Sequence, residues 1–199
     1  MGIPVLILGE SGSGKSTSLR NFEQEEIGIF NVASKPLPFR KKLPTRNGAT
    51  YASITKALSH PKGRTYAIDD SQALMAFALF NKAKETGYGK FTDIALDFYN
   101  LLQFIIQKTP SDCIVYFLHH TETSDKTVGK MLDNQLTVEG LFSIVLLART
   151  DGIRHYFETQ SDGFTTAKSP MDMFPQREID NDLKVVDSAI REYWGLNPA

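Results

Sequence analysis

Cysteine and long apolar runs are both scarce in this chain of 199 residues. Cys113 is the only cysteine, which excludes an intramolecular disulfide and any zinc or iron–sulfur site built from several cysteines. No apolar run is long enough to cross a bilayer. The apolar start at residues 3–8 is too short for a signal peptide and has no basic leader. We therefore expect a cytoplasmic protein with no membrane partner.

A large excess of charge of one sign is also absent. Lys and Arg total 22 and Asp and Glu total 23, for a net charge of −1, which excludes a uniformly basic coat for nucleic acid. The charge is nevertheless polarised, because no acidic residue lies between Glu26 and Asp69 while the end from Glu178 onward leans acidic. The basic residues of this acid-free stretch are Lys35, Arg40, Lys41, Lys42, Arg46, Lys56, Lys62 and Arg64.

The first 120 residues alternate between short apolar runs and segments with helical spacing. We predict strands at 3–8, 27–32, 64–68 and 113–118, and helices that start near Lys15 or span 51–59, 72–84 and 92–107. Helix 72–84 is apolar nearly all round, so we expect it to be buried, and the proline-rich residues 33–50 are predicted as a loop. This alternation indicates an α/β fold with a mainly parallel sheet.

A glycine-rich motif follows the first predicted strand. Residues 9–16, Gly9-Glu10-Ser11-Gly12-Ser13-Gly14-Lys15-Ser16, match the full G-x-x-x-x-G-K-[ST] pattern. Glycines let successive backbone N–H groups turn inward around phosphate oxygens, Lys15 would reach the β- and γ-phosphates, and the Ser16 hydroxyl would ligate Mg²⁺. The stretch from Gly9 to Thr17 is therefore predicted to bind ATP with Mg²⁺. The alternative is a glycine–serine turn with a chance lysine.

The matching acidic residue of such a site is expected at the end of a buried strand. Residues 66–70 read Tyr-Ala-Ile-Asp-Asp, so Asp69 would hold Mg²⁺ directly or through a water. The alternative is that both acids only begin the next helix, where a carboxylate is favourable. Asp70 could polarise the attacking water or help to start the helix that Ser71 is expected to cap.

The second part of the chain has a different pattern. Residues 120–137 are polar without a clear period, and Asp151-Gly152 predicts a hairpin between 143–150 and 153–160, followed by a strand at 164–168. We expect one domain over 1–199, divided into a nucleotide-binding core (1–119), a mobile loop (120–137), a β-meander (138–170) and a C-terminal helix (181–194).

The order of these elements resembles the RecA-like ATPase core. More narrowly, the chain is similar to small phage-encoded RecA-like ATPases linked to single-strand annealing recombination. The narrower likeness rests on 118–125, 129–133 with 139–142, and 157–160 through 166–170, and it covers about 3–194. The resemblance implies helices on both faces of the sheet, ATP hydrolysis coupled to single-stranded DNA, a homo-oligomeric ring or filament, and the cytoplasm of a host bacterium.

The resemblance also implies roles for individual residues. His120 corresponds to a sensor of the γ-phosphate, and the loop 121–137, with Lys126 and Lys130, corresponds to the loop that touches single-stranded DNA. Lys168 corresponds to a lysine that reaches the nucleotide of a neighbouring subunit. A metal site shared by His119 and His120 is not expected, because adjacent residues of a strand point to opposite faces.

One expected residue is missing. RecA-like enzymes carry a catalytic glutamate just after the second strand, but residues 33–35 read Ala-Ser-Lys here. Asp70, Glu122 and Glu10 are the candidates for the base that activates water. Hydrolysis is therefore expected to be slow or stimulated by DNA.

The basic stretch offers a second candidate contact with DNA. Arg40, Lys41 and Lys42 could hold a phosphate backbone while Phe39 stacks on a base. The alternatives are a solvated loop with the aromatic ring turned inward, or a face that meets the acidic C-terminal residues of a neighbouring subunit.

Two other functions fit the same motif. A nucleotide or small-molecule kinase would need an acceptor pocket and usually an arginine-bearing lid, and no arginine-rich lid is evident in the sequence. A binding module switched by ATP, with little hydrolysis, would fit the missing glutamate.

Overall fold

The computed structural model describes residues 1–121 and 138–197. These residues form an eight-stranded sheet in the order β3-β2-β4-β5-β1-β6-β7-β8. The strands are β1 Ile3–Gly9, β2 Gly28–Asn31, β3 Thr45–Asn47, β4 Thr65–Asp69, β5 Ile114–His120, β6 Ile144–Thr150, β7 His155–Glu158 and β8 Glu178–Asp180. From β3 to β6 all neighbouring strands are parallel, and β7 and β8 are added antiparallel. The predicted α/β class is confirmed as a mostly parallel, mixed sheet.

Helices cover both faces of this sheet. They are α1 Tyr51–Leu58, α2 Gln72–Asn81, α3 Gly89–Lys108 and α4 Leu183–Trp194, with 3₁₀ turns at Ser16–Leu19 and Val138–Leu141. Leu6 and Leu8 of β1 pack in the cluster formed with α1, α2 and α3. Val5 and Ile7 point to the other face, where α4 packs. Alternate residues of a strand therefore feed two separate cores.

Two predicted helices differ from those observed. The segment after Lys15 forms only the 3₁₀ turn Ser16–Leu19, because the chain then turns to bury Phe22 in the α4-side core. Helix α2 is not buried all round, since Phe77 and Phe80 are 45% and 69% exposed. Only its Ala73–Met75 end is buried, because one side packs against the sheet and α3 while the other faces solvent.

Two strands were not predicted, and one predicted strand is wrong. β3 lies within the predicted loop and its three residues are all exposed, so it has no apolar alternation to reveal it. The third strand of the meander is β8, which pairs with β7. The predicted strand at 164–168 makes only one bridge, between Lys168 and Val145. The predicted hairpin of β6 and β7 is confirmed.

A buried ion pair ties α4 to the sheet. Arg191 Nε donates to Asp187 Oδ2 at 2.6 Å, and both side chains are buried. Asp187 Oδ1 accepts hydrogen bonds from Tyr116 of β5 and Thr65 of β4, each at 3.1 Å. Because these buried charges are paired and hydrogen-bonded, they hold α4 in one position across β4 and β5.

No helix in residues 1–121 or 138–197 is long and apolar enough to cross a membrane.

Candidate phosphate-binding site

The ends of three neighbouring parallel strands bring the candidate residues together. β5 lies between β1 and β4, with Gly9 opposite His120 and Ile68 opposite Phe117. The carboxyl ends of parallel strands meet at one edge of a sheet, which is where ligands bind in open α/β folds. The phosphate loop, defined as residues 9–16, therefore lies at the same edge as Asp69 and His120.

The backbone of the phosphate loop requires glycine at several positions. Gly12 and Gly14 have φ angles of +80° and +93°, a region that disfavours residues with a side chain. A Cβ on Gly9 would lie 2.7 Å from the carbonyl oxygen of Ala148, so β6 packs directly against the start of the loop. These glycines are needed for the shape of the loop and not only for flexibility.

Lys15 folds back into the loop. Its Nζ donates to the carbonyl oxygens of Gly9 at 2.7 Å and Glu10 at 2.8 Å, and lies 3.4 Å from His120 Nδ1. Burial lowers the pKa of Lys15 to about 8, opposed mainly by the nearby carboxylates of Asp70 and Asp69. The ammonium group is therefore partly desolvated and held beside the loop's backbone, a position from which it can meet an anion.

Ser16 and Asp69 are in direct contact. Ser16 Oγ donates to Asp69 Oδ1 at 2.7 Å, and the Asp70 N–H donates to the same oxygen at 3.2 Å. Asp69 is 6% exposed, and burial raises the pKa of its carboxyl. A hydroxyl and a carboxylate are oxygen ligands that suit Mg²⁺, which commonly takes only one or two protein groups beside phosphate and water. The pair therefore fits this ion.

Asp70 is held by a cation from the segment that follows β2. Lys35 Nζ lies 3.0 Å from Asp70 Oδ2, and Asp70 has a left-handed backbone with φ of +54°. Ser71 does not cap α2 with its side chain, contrary to the prediction. Its hydroxyl instead lies 3.2 Å from the Leu118 carbonyl oxygen and 3.0 Å from His119 Nδ1. The turn after β4 is thus fastened to β5.

The two adjacent histidines point in opposite directions, as predicted. His119 is buried edge-on against Phe98, and burial lowers its pKa to about 4. His120 lines the phosphate pocket, and its backbone N–H donates to Gln72 Oε1 of α2 at 3.0 Å. His120 therefore connects Lys15 with α2, while His119 belongs to the core.

The phosphate pocket has a volume of about 340 Å³. Its lining includes Ser11, Gly12, Gly14, Lys15, Ser16, Thr17, Lys35, Asp69, Asp70, Gln72, His120 and His155. The volume is of the order expected for part of a small-molecule site. No group of three or more His, Cys, Asp or Glu side chains is arranged as a metal cluster within the described residues.

Two residues at this site were not found from the sequence. A Cβ on Gly14 would lie 3.1 Å from both His155 Nδ1 and Asn181 Oδ1. Asn181 is 3% exposed, and neither polar atom of its amide has a hydrogen-bond partner in the part of the chain described. Its backbone oxygen accepts from Arg20 at 2.7 Å. No local motif marks either residue, because only the packing of β7 and α4 brings them to the phosphate loop.

The remaining predicted residues lie elsewhere. Glu10 and Ser13 line a second cavity of about 340 Å³ on the β6 side of the loop. Lys168 is joined to Val145 by two backbone hydrogen bonds and is not among the residues that line the phosphate pocket. Its predicted role toward a neighbouring subunit stays a prediction. Glu122, Lys126 and Lys130 lie outside the described residues.

The basic loop 39–42 is partly occupied by contacts within the chain. Phe39 is half-buried against the α4-side core, which agrees with the alternative of an inward ring. Lys41 Nζ donates to Glu23 at 2.8 Å and to the Phe22 carbonyl at 2.9 Å. Arg40 and Lys42 are exposed and remain candidates for contact with DNA.

The comparisons with known proteins identify no family for this chain. No family model and no curated protein matches this sequence. Among solved structures, a Pyrococcus horikoshii OT3 protein that is described only as the subject of a structural study matches with 10% identity and a TM-score of 0.45. The match covers 90% of this chain and 93% of that one. A likeness this low carries no argument, so the class rests on the sheet described above.

Proposed function

We propose that this chain is a Mg²⁺-dependent ATPase of the RecA-like type that acts on single-stranded DNA in recombination or annealing. The observation that carries the proposal is the contact between Ser16 and Asp69 at 2.7 Å, beside Lys15 at the end of β1. A phosphate-loop serine and a strand-end aspartate in contact are the pair that holds Mg²⁺ on a nucleoside triphosphate in P-loop enzymes. The match of sequence motif and geometry supports ATP as the ligand.

The phosphate loop supplies most of the affinity for the triphosphate. The backbone N–H groups of such a loop and the Lys15 ammonium are suited to bind negative charge. Binding requires Lys15 to exchange its bonds with the Gly9 and Glu10 carbonyls for phosphate oxygens. Ser16 and Asp69 would hold Mg²⁺, which when bound neutralises charge on the β- and γ-phosphate oxygens.

Asp70 is the described carboxylate best placed to orient the attacking water. It lines the phosphate pocket next to Asp69 and is only partly exposed. In the ion pair, Lys35 competes with a water for the oxygen atoms of this carboxylate. His120, 3.4 Å from Lys15 and bonded through its backbone to Gln72, is suited to transmit the state of the γ-phosphate to α2.

A binding module switched by ATP is the second candidate. The Lys35–Asp70 ion pair favours it, because a carboxylate that contacts a cation is less free to bind the attacking water. A kinase has less support, since none of the described residues that line the phosphate pocket is an arginine. An oligomer in which Lys168 reaches the next subunit stays part of the main proposal and rests on the sequence resemblance.

The test is phosphate release from ATP with Mg²⁺, measured with and without single-stranded DNA. We expect release by the wild type, stimulation by DNA, and loss of both in Lys15→Ala. Lys84→Ala, an exposed lysine beyond α2, is the matched control and should behave as the wild type. Tight ATP binding without release would favour the switched module, and a phosphorylated acceptor would favour a kinase.

A further inference from the structure

Another pocket lies at the amino ends of β2 and β4, opposite the strand ends that carry the phosphate loop and Asp69. We call it the basic groove, and its volume is about 540 Å³. It is lined by Gly28, Ile29, Phe30, Pro44, Thr45, Arg46, Lys56, Ala57, His60, Lys62 and Tyr66. Gly28 and Tyr66 are paired at the amino ends of β2 and β4, whereas Asn31 and Asp69 are paired at the carboxyl ends. At about 3.3 Å per residue the two ends are roughly 10 Å apart along the strands, and the groove shares no lining residue with the phosphate pocket.

The cations of the groove come from three different elements. Arg46 belongs to β3, Lys56 to α1 and Lys62 to the segment before β4. No aspartate or glutamate is present among the described residues that line the groove. The side chains therefore surround an open depression with charge of one sign, which creates a positive potential over it.

These cations differ from the other basic residues of the acid-free stretch. Lys35 is paired with Asp70, Lys41 with Glu23, and Arg64 with Asp112. In the described residues, by contrast, no ion pair involves any of the three principal groove cations, Arg46, Lys56 and Lys62, and all three are exposed. Their charge is thus left available for an external anion.

The floor of the groove is apolar and aromatic. Phe30 and Tyr66 stack with ring centroids 5.8 Å apart and an interplanar angle of 17°. A Cβ on Gly28 would lie 3.0 Å from the Tyr66 ring, so the glycine lets this ring pack closely on β2. Only 5% of Phe30 and 8% of Tyr66 are exposed. The Tyr66 hydroxyl accepts from the Gly63 N–H at 2.9 Å, which fixes the ring in place. The floor is therefore a shallow apolar surface, against which a flat group can lie between charged neighbours.

We propose that the basic groove binds a segment of single-stranded DNA, with phosphates on Arg46, Lys56 and Lys62 and a base over the floor. Single-strand sites combine cations that follow the backbone with aromatic or apolar surface for the bases. Cations spread over three elements around an open groove suit a passing strand, whereas a free nucleotide is usually held by converging backbone N–H groups. The inference rests on the DNA part of the proposed function and locates it on the described surface.

The test is binding of a fluorescent oligothymidylate to the full chain, measured by anisotropy between about 50 and 200 mM salt. We expect Lys56→Ala/Lys62→Ala to weaken binding about ten-fold at the lower salt. The slope of log affinity against log salt should fall by about 1.4, since each phosphate contact with a single strand contributes about 0.7. Lys84→Ala/Lys108→Ala removes two exposed lysines outside the groove and should change neither quantity by as much.

The outcomes separate this inference from the proposed function. If the wild type binds the oligonucleotide and the groove variant binds it as the control does, the groove is not the DNA site. The proposed function is then decided by phosphate release with and without DNA. If the wild type does not bind the oligonucleotide with or without ATP, both the groove and the DNA part of the function are overturned. If thymidine monophosphate or inorganic phosphate competes as well as a strand does, the groove is a site for small anions and the inference is wrong. Thermal melting checks that both variants fold.

Discussion

Lys35 Nζ lies 3.0 Å from Asp70 Oδ2, so the segment after β2 reaches the acidic end of β4. In the family that the sequence resembles, this segment carries the catalytic glutamate. Here it carries a cation that neutralises a neighbouring acid. For the proposed ATPase, the structure gives a reason besides the missing glutamate why hydrolysis without DNA should be slow. It also identifies the contact that would have to change for hydrolysis to become faster.

Removing that cation should increase hydrolysis. We expect Lys35→Ala to raise the rate of phosphate release without DNA by about ten-fold. This is less than the full effect of a general base, which is about hundred-fold or more. The reason is that Asp70 becomes free to accept a hydrogen bond from water. The rate under saturating ATP with Mg²⁺ is the measurement.

The double variant Lys35→Ala/Asp70→Asn is the control for this prediction. It should lose the whole gain, because the amide cannot accept a proton from water as the carboxylate does. A drop in rate and in ATP affinity for Lys35→Ala alone would show instead that Lys35 contacts the phosphates. Asp70 would then lose its proposed role.

The Ser16–Asp69 contact predicts how ATP binding depends on the metal. For the wild type, chelation of Mg²⁺ with EDTA should weaken the binding of a non-hydrolysable ATP analogue about ten-fold or more. The comparison is with residues that only hydrogen-bond to a metal ligand, whose loss already lowers metal affinity about ten-fold or more. Asp69→Asn and Ser16→Ala should bind weakly and respond little to EDTA. Ser59→Ala, an exposed serine after α1, should respond as the wild type. Equal sensitivity to EDTA in all variants would remove this pair as the metal site.

The sequence predicted the parts of the site that depend on local pattern. The phosphate loop follows an apolar strand, and Asp69 ends another one, so short-range motifs were enough to find both. The strands that precede the phosphate loop and end at Asp69 lie where they were predicted, because apolar runs of this length leave the backbone few alternatives.

Long-range packing explains what could not be predicted. Asn181 and His155 reach Gly14 only because β7 and α4 fold back across the sheet, more than a hundred residues later in the chain. β3 is an exposed edge strand whose residues carry no apolar signal. Phe39 packs against the core and Lys41 pairs with Glu23, so neither side chain is fully available for the predicted contact with DNA. Charge patterning alone does not reveal such contacts.

The buried pair in α4 predicts a large effect on stability. Arg191→Met should lower the free energy of unfolding by about 3–5 kcal/mol, because it leaves the Asp187 carboxylate buried without its cation. Urea unfolding measures the change. Arg154→Met is the matched control, since Arg154 and Glu178 form an exposed pair with side chains 55% and 47% accessible. Such a pair should contribute less than about 1 kcal/mol to the free energy of unfolding. An equal loss in both variants would contradict the prediction that the buried Arg191–Asp187 pair contributes more.

The buried His119 predicts how stability depends on pH. Its pKa is lowered from 6.5 to about 4, first by burial and then by the charges of Lys15 and His120. As the pH falls below 6.5, the unfolded chain takes up a proton that the folded protein refuses until about pH 4. The contribution to stability is therefore fully present above pH 6.5 and is lost as the pH falls to 4, by about 3 kcal/mol.

A variant without the imidazole isolates this contribution from that of the carboxylates. His119→Gln keeps a polar group near Ser71 but cannot take up the proton, so its unfolding free energy should fall less steeply between pH 6.5 and 4. Urea unfolding of both proteins at several pH values gives the difference between their free energies of unfolding. The wild type should lose about 3 kcal/mol more than His119→Gln as the pH falls from 6.5 to 4. His60→Gln, which changes an exposed histidine, should keep the slope of the wild type. Parallel curves for wild type and His119→Gln would mean that His119 is protonated as readily in the folded chain as in the unfolded one.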